Sequence, residues 1–154
     1  MPTKAIASKL VIDIQCATSA IEDKLNQIAS PTLIKKWVKS TTTCGGLLTL
    51  RFVNATEGKK LNFAYRKKDY ATNVLTFPYE LTKNSMTADI IFCLPVIQKE
   101  AKEQKKLLKS HLAHLVVHGC LHSQGYDHEH EKEATKMESL EIKILEKLGF
   151  ANPY

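Results

Sequence analysis

The chain has 154 residues, of which 44% are hydrophobic and 25% are charged. This length suffices for a single domain that buries its own core, and the composition is ordinary for a soluble globular protein. No apolar run reaches the roughly 18 residues of a membrane helix, and residues 1–9 lack the pattern of a secretory signal. We therefore expect a cytoplasmic protein, in which the four cysteines, none in a C-x-x-C pair, are free thiols.

The net charge of +6 is unevenly distributed along the chain. Residues 1–110 contain 18 Lys and Arg against 9 Asp and Glu, a net of +9, and residues 111–154 contain 4 against 7, a net of −3. A basic body of this kind suits a polyanionic partner, and it suits equally well a lysine-rich surface that is only solvated. Charge alone leaves both alternatives open.

The first third of the chain predicts a strand followed by two helices. Residues 9–17 alternate apolar and polar side chains, which indicates a strand. Residues 19–40 have apolar side chains at helical spacing, with Pro31 inside the pattern. We predict that Ser19 caps the first helix and that Ser30 caps the second, with the proline at its first position.

The middle third predicts a turn, a strand, a helix and a short strand. Gly45-Gly46 indicates a turn, and residues 47–54 indicate a strand after it. Residues 56–67 predict a short helix. A loop then leads into a strand over residues 74–77, which we expect to end at Pro78 because proline cannot donate to a strand ladder.

The last part predicts a central strand and then helices. Residues 79–87 are polar and indicate a loop, whereas the near-continuous apolar run over 88–94 indicates a strand at the centre of the sheet. A charged segment and a buried helix follow, over 98–109 and 110–121, and an amphipathic helix covers 129–148. The order β-α-α-β-α-β-β-α-α-α predicts an α/β domain with one small sheet, comprising residues 1–154.

A histidine motif, H-x3-H-x5-H, lies between the last two predicted helices. His118 and His122 are one helical turn apart on one face. Gly125 tolerates positive φ, so the chain can turn and bring His128 back over that face. Three converging imidazoles are the ligand set of a catalytic zinc site with an open position for water. We therefore predict one Zn²⁺ per chain, although the same ligands also suit nickel and copper.

The spacing also matches the metalloprotease pattern H-E-x-x-H-x-x-G-x-x-H except at one position. Gly119 stands where the protease has the glutamate that serves as general base. This difference argues against peptidase activity but not against hydrolysis, since bound zinc lowers the pKa of its water to about 7 by itself. His114 lies one turn before His118, where it can assist catalysis or play a structural role near the metal.

A basic segment upstream offers a site for phosphate. Arg66, Lys67 and Lys68 follow one another at the end of the third predicted helix. The planar guanidinium of arginine suits phosphate, and such a cluster beside a zinc site would stabilise charge on phosphorus. The same residues also suit a solvated helix end, where cations face the negative end of the helix dipole.

Taken together, these segments resemble the YbeY family of bacterial rRNA-maturation endoribonucleases. The family motif H-G-x-L-H-L-x-G-Y-D-H is matched by residues 118–128, with Ser123 in place of leucine. The family segment R-x-x-D-x-x-T-[DN]-V-L-S-F-P is matched by residues 66–78, with Thr76 in place of serine. The family's G-D-I strand motif is matched at residues 88–90, with Ala88 in place of glycine.

The resemblance implies a fold, a site and a biological role. The fold is α/β (α+β), with a mostly four-stranded mixed sheet flanked by helices and a zinc-binding helix. The site it implies comprises His118, His122 and His128 on zinc, a functional arginine at Arg66 and a basic groove for single-stranded RNA. To these the residue-based reading adds His114 as an assisting catalytic residue and substrate binding by Arg66, Lys67 and Lys68. The role is single-strand-specific endoribonuclease in 16S rRNA 3′-end maturation and ribosome quality control. Its partners are the ribosome, a small-subunit ribosomal protein and an Era-type GTPase, with no membrane.

Two other functions remain open from the sequence. One is a metzincin-like metal hydrolase that acts on another class of substrate. The other is a non-catalytic ribosome-assembly factor in which zinc only stabilises the fold. A structural zinc normally has four protein ligands, and only three histidines have suitable spacing here, which favours an open catalytic site.

Overall fold

The structure, a computed structural model, describes residues 9–127 and 129–154. Within these ranges it confirms the predicted α/β fold with one four-stranded mixed sheet and the predicted order of elements. The strands are β1 (Leu10–Cys16), β2 (Gly45–Val53), β3 (Val74–Leu81) and β4 (Ser85–Cys93). The helices are α1 (Ser19–Ile28), α2 (Pro31–Lys39), α3 (Ala55–Arg66), α4 (Leu94–Glu103), α5 (Leu108–Ser123) and α6 (Glu131–Lys147).

The sheet has the strand order β1-β2-β4-β3. Strands β1, β2 and β4 are parallel, and β3 pairs antiparallel with β4. The prediction that the apolar run over 88–94 forms a central strand is confirmed, because β4 has a neighbour on each side. Strand β3 lies at an edge, so one side of its backbone has no partner strand within the described sheet.

Helix α5 packs across the main core on one face of the sheet. Ten of its sixteen residues are buried, including the fully enclosed Cys120. Burial raises the pKa of the Cys120 thiol to about 12, so this cysteine is a core residue, as predicted, and not a thiolate ligand. A smaller apolar cluster under α3, built around Val53, Leu75, Ile91 and Cys93, covers the other face. Among the described residues, no helix is both long and apolar enough to cross a membrane.

The predicted end of the third strand at Pro78 is wrong, and so is the predicted loop over 79–87. Strand β3 continues to Leu81, and β4 already begins at Ser85. Pro78 is tolerated because β3 is an edge strand and because the register shifts between Pro78 and Glu80. The polar composition of this hairpin reflects its exposure rather than a lack of regular structure.

Two other local predictions were also wrong. Gly45-Gly46 is not a turn but the start of β2, and a Cβ on Gly46 would lie 2.0 Å from the backbone oxygen of Met86 on β4. Glycine is therefore required here by close approach of two strands. The cap of α1 is Thr18 and not Ser19, since the Thr18 hydroxyl accepts a hydrogen bond from the Ile21 amide at 3.1 Å.

Candidate active site

A cleft of about 730 Å³ opens along the free edge of β3. Its walls come from the end of α3, from β3, from α5 and from the segment that follows α5. The lining residues are Tyr65, Arg66, residues 72–77, His118, His122, Asp127 and Glu129. The cleft therefore joins the histidine motif to the basic segment, although the two are about fifty residues apart in sequence.

The cleft reaches around the edge of the sheet, from one face to the other. Val74 packs with the main core, on the α5 face, where a Cβ on Gly119 would lie 3.5 Å from its Cγ2 atom. Leu75 and Phe77 pack with the smaller cluster on the α3 face. A ligand that lies across the β3 edge can thus contact the imidazoles on one side and the end of α3 on the other.

His118 and His122 are held side by side on α5. Their ring centroids are 6.3 Å apart and the ring planes are tilted by 32°. The Nδ1 atom of His118 lies 2.6 Å from Oε1 of Glu141, and Nδ1 of His122 lies 2.9 Å from the carbonyl oxygen of Tyr126. Since both partners are acceptors, each ring donates from Nδ1, and in the neutral imidazole the lone pair is then on Nε2.

The chain turns after α5 as the sequence predicts. Gly125 has φ +93°, and the Tyr126 amide donates to the carbonyl of Leu121. This turn places the carbonyl of Tyr126 against the ring of His122. The third predicted ligand, His128, lies outside the described residues.

Glu141 on α6 is a fully buried carboxylate that sequence reasoning missed. Besides His118, its carboxylate contacts the Tyr154 hydroxyl, which donates to Oε2 at 2.6 Å, and Nε2 of His114 at 3.5 Å. Burial alone would raise the pKa of Glu141, but these three partners outweigh it and hold the pKa well below its usual range. Burial and the adjacent carboxylate raise the pKa of the Tyr154 hydroxyl, which therefore stays a donor.

The imidazole pair fits a metal ion. Histidines that bind metals characteristically donate their other ring N–H to a carboxylate or a backbone carbonyl, and these two rings have one acceptor of each kind. Among residues 9–127 and 129–154, no group of three or more His, Cys, Asp or Glu side chains is arranged to hold a metal. The described part of the chain therefore contains two of the three histidines predicted to bind zinc, and the three-histidine zinc site stays a prediction.

Gly119, at the position of the protease glutamate, faces the sheet at close range. A Cβ there would lie 3.0 Å from Cγ2 of Ile90, which is buried in β4. A glutamate side chain at this position would therefore require Ile90 to shift away from α5. The close packing of α5 on the sheet is thus a physical reason for glycine at this position. It is separate from the fact that glycine cannot serve as a general base.

We expect Gly119→Glu to lower the free energy of unfolding by about 2 kcal/mol or more, because it overfills the core and buries a charge. Urea denaturation would measure this loss. Lys109→Glu is a suitable control, since it introduces the same side chain at an exposed position of the same helix. An unchanged midpoint for Gly119→Glu would contradict the close packing of α5 on β4.

Arg66 lies at the C-terminal end of α3 and lines the cleft. The chain leaves the helix through Lys67, which has φ +59°, and buried Asn62 fixes the following loop by donating to the carbonyl of Tyr70 at 2.7 Å. Among the described residues, no carboxylate lies within 4.0 Å of the Arg66 guanidinium, whereas Arg51 forms an ion pair with Glu57 at 2.7 Å. The Arg66 guanidinium is thus available for an anionic ligand.

The structure separates the other predicted site residues from the cleft. Lys67 and Lys68 are exposed next to Arg66, but they do not line the cleft. His114 also lies outside the lining, and its ring packs edge-on against Tyr154 and near His118. The contact of His114 with the site is indirect, because its Nε2 atom lies 3.5 Å from the Glu141 carboxylate, which in turn contacts His118. Its predicted catalytic role stays a prediction.

The comparisons with known proteins agree with the resemblance seen in the motifs. The model of the family Endoribonuclease YbeY matches residues 11–149. The chain is 71% identical to Endoribonuclease YbeY of Polynucleobacter asymbioticus over 147 residues, which are 96% of this chain and 95% of that protein. It is 52% identical to Endoribonuclease YbeY of Janthinobacterium sp. (strain Marseille) over 149 residues, again 96% and 95% of the two chains.

A solved structure resembles the fold. The solution structure of TM1509 from Thermotoga maritima superposes with a TM-score of 0.53 at 23% identity, over 90% of this chain and 92% of that one. Fold and cleft define a small α/β domain with paired imidazoles at a sheet edge. The family match and the two relatives then make the assignment specific: the chain belongs to the Endoribonuclease YbeY family.

Proposed function

We propose that this protein is a zinc-dependent endoribonuclease that cleaves single-stranded RNA. The observation that carries the proposal is one cleft lined by both an arginine and two imidazoles whose Nδ1 atoms are held by hydrogen-bond acceptors. Membership of the Endoribonuclease YbeY family supports RNA as the substrate. The basic body of the chain, with a net charge of +9 over residues 1–110, supports a polyanionic ligand.

Zinc would be held by His118 and His122, with His128 as the third ligand expected from the sequence. When bound, the ion supplies Lewis-acid polarisation of a water or of a phosphate oxygen. The Glu141 carboxylate accepts a hydrogen bond from Nδ1 of His118, and the Tyr126 carbonyl accepts one from Nδ1 of His122. These bonds would keep both rings oriented toward the metal. His114, whose Nε2 atom lies 3.5 Å from the same carboxylate, would assist catalysis by helping to position it.

Arg66 would bind the scissile phosphate and neutralise the charge that develops on it. Lys67 and Lys68, which are exposed beside it, would contact neighbouring phosphates of the same strand. Because RNA must lie across the β3 edge to reach the imidazoles and Arg66 together, the geometry favours a flexible single strand. The stiff A-form duplex offers a deep, narrow major groove that side chains cannot enter.

The biological setting is also a proposal. We infer from the family resemblance that the protein acts in the cytoplasm, in 16S rRNA 3′-end maturation and ribosome quality control. Its partners there would be the ribosome, a small-subunit ribosomal protein and an Era-type GTPase.

Arg66→Glu tests the proposal directly. We expect RNA cleavage to fall by about 100-fold or more, because the variant loses a charge-assisted contact and places a carboxylate against phosphate. Bound zinc should stay unchanged, since Arg66 is not a ligand. The measurement combines cleavage of single- and double-stranded RNA with metal analysis of the same preparations.

Lys60→Glu is the matched control, because it makes the same charge change at an exposed position of α3 that does not line the cleft. Near wild-type cleavage by this variant would exclude a general effect of charge. Intact single-stranded RNA after incubation with the zinc-loaded wild type would contradict the proposal and favour a non-catalytic assembly factor. Loss of zinc from Arg66→Glu would instead show that Arg66 is structural.

A further inference from the structure

We infer that Tyr65 and Phe77 form a base-stacking subsite of the cleft, which takes an unstacked nucleobase of single-stranded RNA. The inference rests on the proposed function and extends it, because it names the part of the substrate that the cleft recognises besides phosphate. Both residues line the cleft, and neither belongs to the histidine motif. The aromatic pair is called the Tyr65–Phe77 platform below.

The first step is the geometry of the two rings. Their centroids are 4.9 Å apart and the planes meet at 64°, an edge-to-face arrangement. Phe77 is anchored, because it packs on the apolar cluster under α3. Tyr65 is 67% exposed. An edge-to-face contact covers at most one face of either ring, so the platform offers solvent a supported aromatic face on which a third ring can stack.

The second step is the position of the platform beside the phosphate site. Tyr65 immediately precedes Arg66 at the end of α3, so the aromatic ring and the guanidinium project from adjacent positions of one helix. Phe77 is three residues along β3 from Val74, or roughly 10 Å at the rise of an extended strand. Val74 in turn packs near Gly119, which is next to His118. The platform therefore lies farther along the same strand that passes the imidazoles.

The third step is the chemistry of the ligand. An exposed aromatic face next to a cation matches a nucleotide, which has a flat base next to an anionic phosphate. Stacking of this kind tolerates any base sequence, because every base has a π-face. It requires a base that is not already stacked within a duplex, and specific recognition of RNA commonly targets such splayed bases. The platform thus gives a physical basis for a preference for single strands.

Equilibrium binding to a short single-stranded RNA tests the inference. The RNA contains phosphorothioates that resist cleavage, and a second strand of equal length has stable abasic spacers at every position. We expect Tyr65→Ala to weaken binding of the first strand by between about fivefold and about 100-fold. Its effect on the abasic strand should be less than about twofold. Tyr65→Trp should restore affinity for the strand with bases.

Tyr70→Ala is the matched control, since Tyr70 is also exposed, at 57%, but does not line the cleft. A Tyr65→Ala variant that binds like Tyr70→Ala would overturn the inference. Equal losses on both strands would also overturn it, because the contact would then be with the backbone. Wild-type protein that binds neither strand would contradict the proposed function itself, whereas normal RNA binding without discrimination by Tyr65 would contradict only the platform.

Discussion

His118→Ala should greatly weaken zinc binding and abolish RNA cleavage, and it should also destabilise the metal-free protein more than His122→Ala does. Both substitutions remove a predicted ligand, so both should lower zinc affinity by more than about 100-fold. They differ in what remains behind. His118→Ala leaves the fully buried Glu141 without the donor that lies 2.6 Å from its Oε1. His122→Ala leaves a backbone carbonyl without the corresponding donor.

The expected difference in free energy of unfolding is about 2 kcal/mol, because a buried charged acceptor without its donor is more costly than a neutral one. Urea denaturation of both variants in the presence of a chelator measures this difference without any contribution from metal. Zinc titration of the same samples measures the shared loss of affinity. If both variants unfold at the same urea concentration, the hydrogen bond between His118 and Glu141 does not contribute measurably to stability.

The relation between Glu141 and His118 is the part of the site that sequence reasoning did not find. The signal was available, since Glu141 lies one turn after Met137 and one turn before Leu145, both of which are buried on α6. A charged residue at such a position indicates a buried partner. The identity of that partner depends on how α6 packs against α5, which local spacing does not determine.

Other parts of the site followed from short-range chemistry. The i, i+4 spacing of His118 and His122 fixed their common face, and the conformational freedom of Gly125 allowed the turn after them. The proximity of Arg66 to the imidazoles did not follow in this way. It depends on β3 being the edge strand next to β4, a consequence of the sheet order as a whole.

The errors at β2 and β3 have a common physical cause. Gly46 and Pro78 both indicate a break when each is considered alone, yet both lie within strands. Gly46 fits because the backbone of Met86 approaches closely, and Pro78 fits because an edge strand needs no donor on its free side. Tertiary neighbours decide such positions, so a single sequence cannot distinguish them from turns.

Glu141→Gln should lower zinc affinity by between about 10-fold and about 100-fold while the fold is retained. Glutamine has nearly the same shape as glutamate, and its amide oxygen can still accept a hydrogen bond from Nδ1 of His118. What it removes is the negative charge, which increases the basicity of the imidazole and so strengthens its bond to a metal. Competition with a chromophoric chelator would measure the zinc affinity, and thermal unfolding of the metal-free variant would report on the fold.

Two further variants separate a positioning role from general effects of charge. Glu146→Gln neutralises an exposed carboxylate on the same helix and should leave zinc affinity unchanged. Tyr154→Phe removes the hydroxyl that donates to Oε2 at 2.6 Å but keeps the contact of Oε1 with His118, so we expect a smaller loss than for Glu141→Gln. Equal zinc affinity of Glu141→Gln and wild type would contradict the role of Glu141. If Tyr154→Phe lowers zinc affinity as much as Glu141→Gln does, the orientation of the Glu141 carboxylate, rather than its charge, determines how strongly His118 binds zinc.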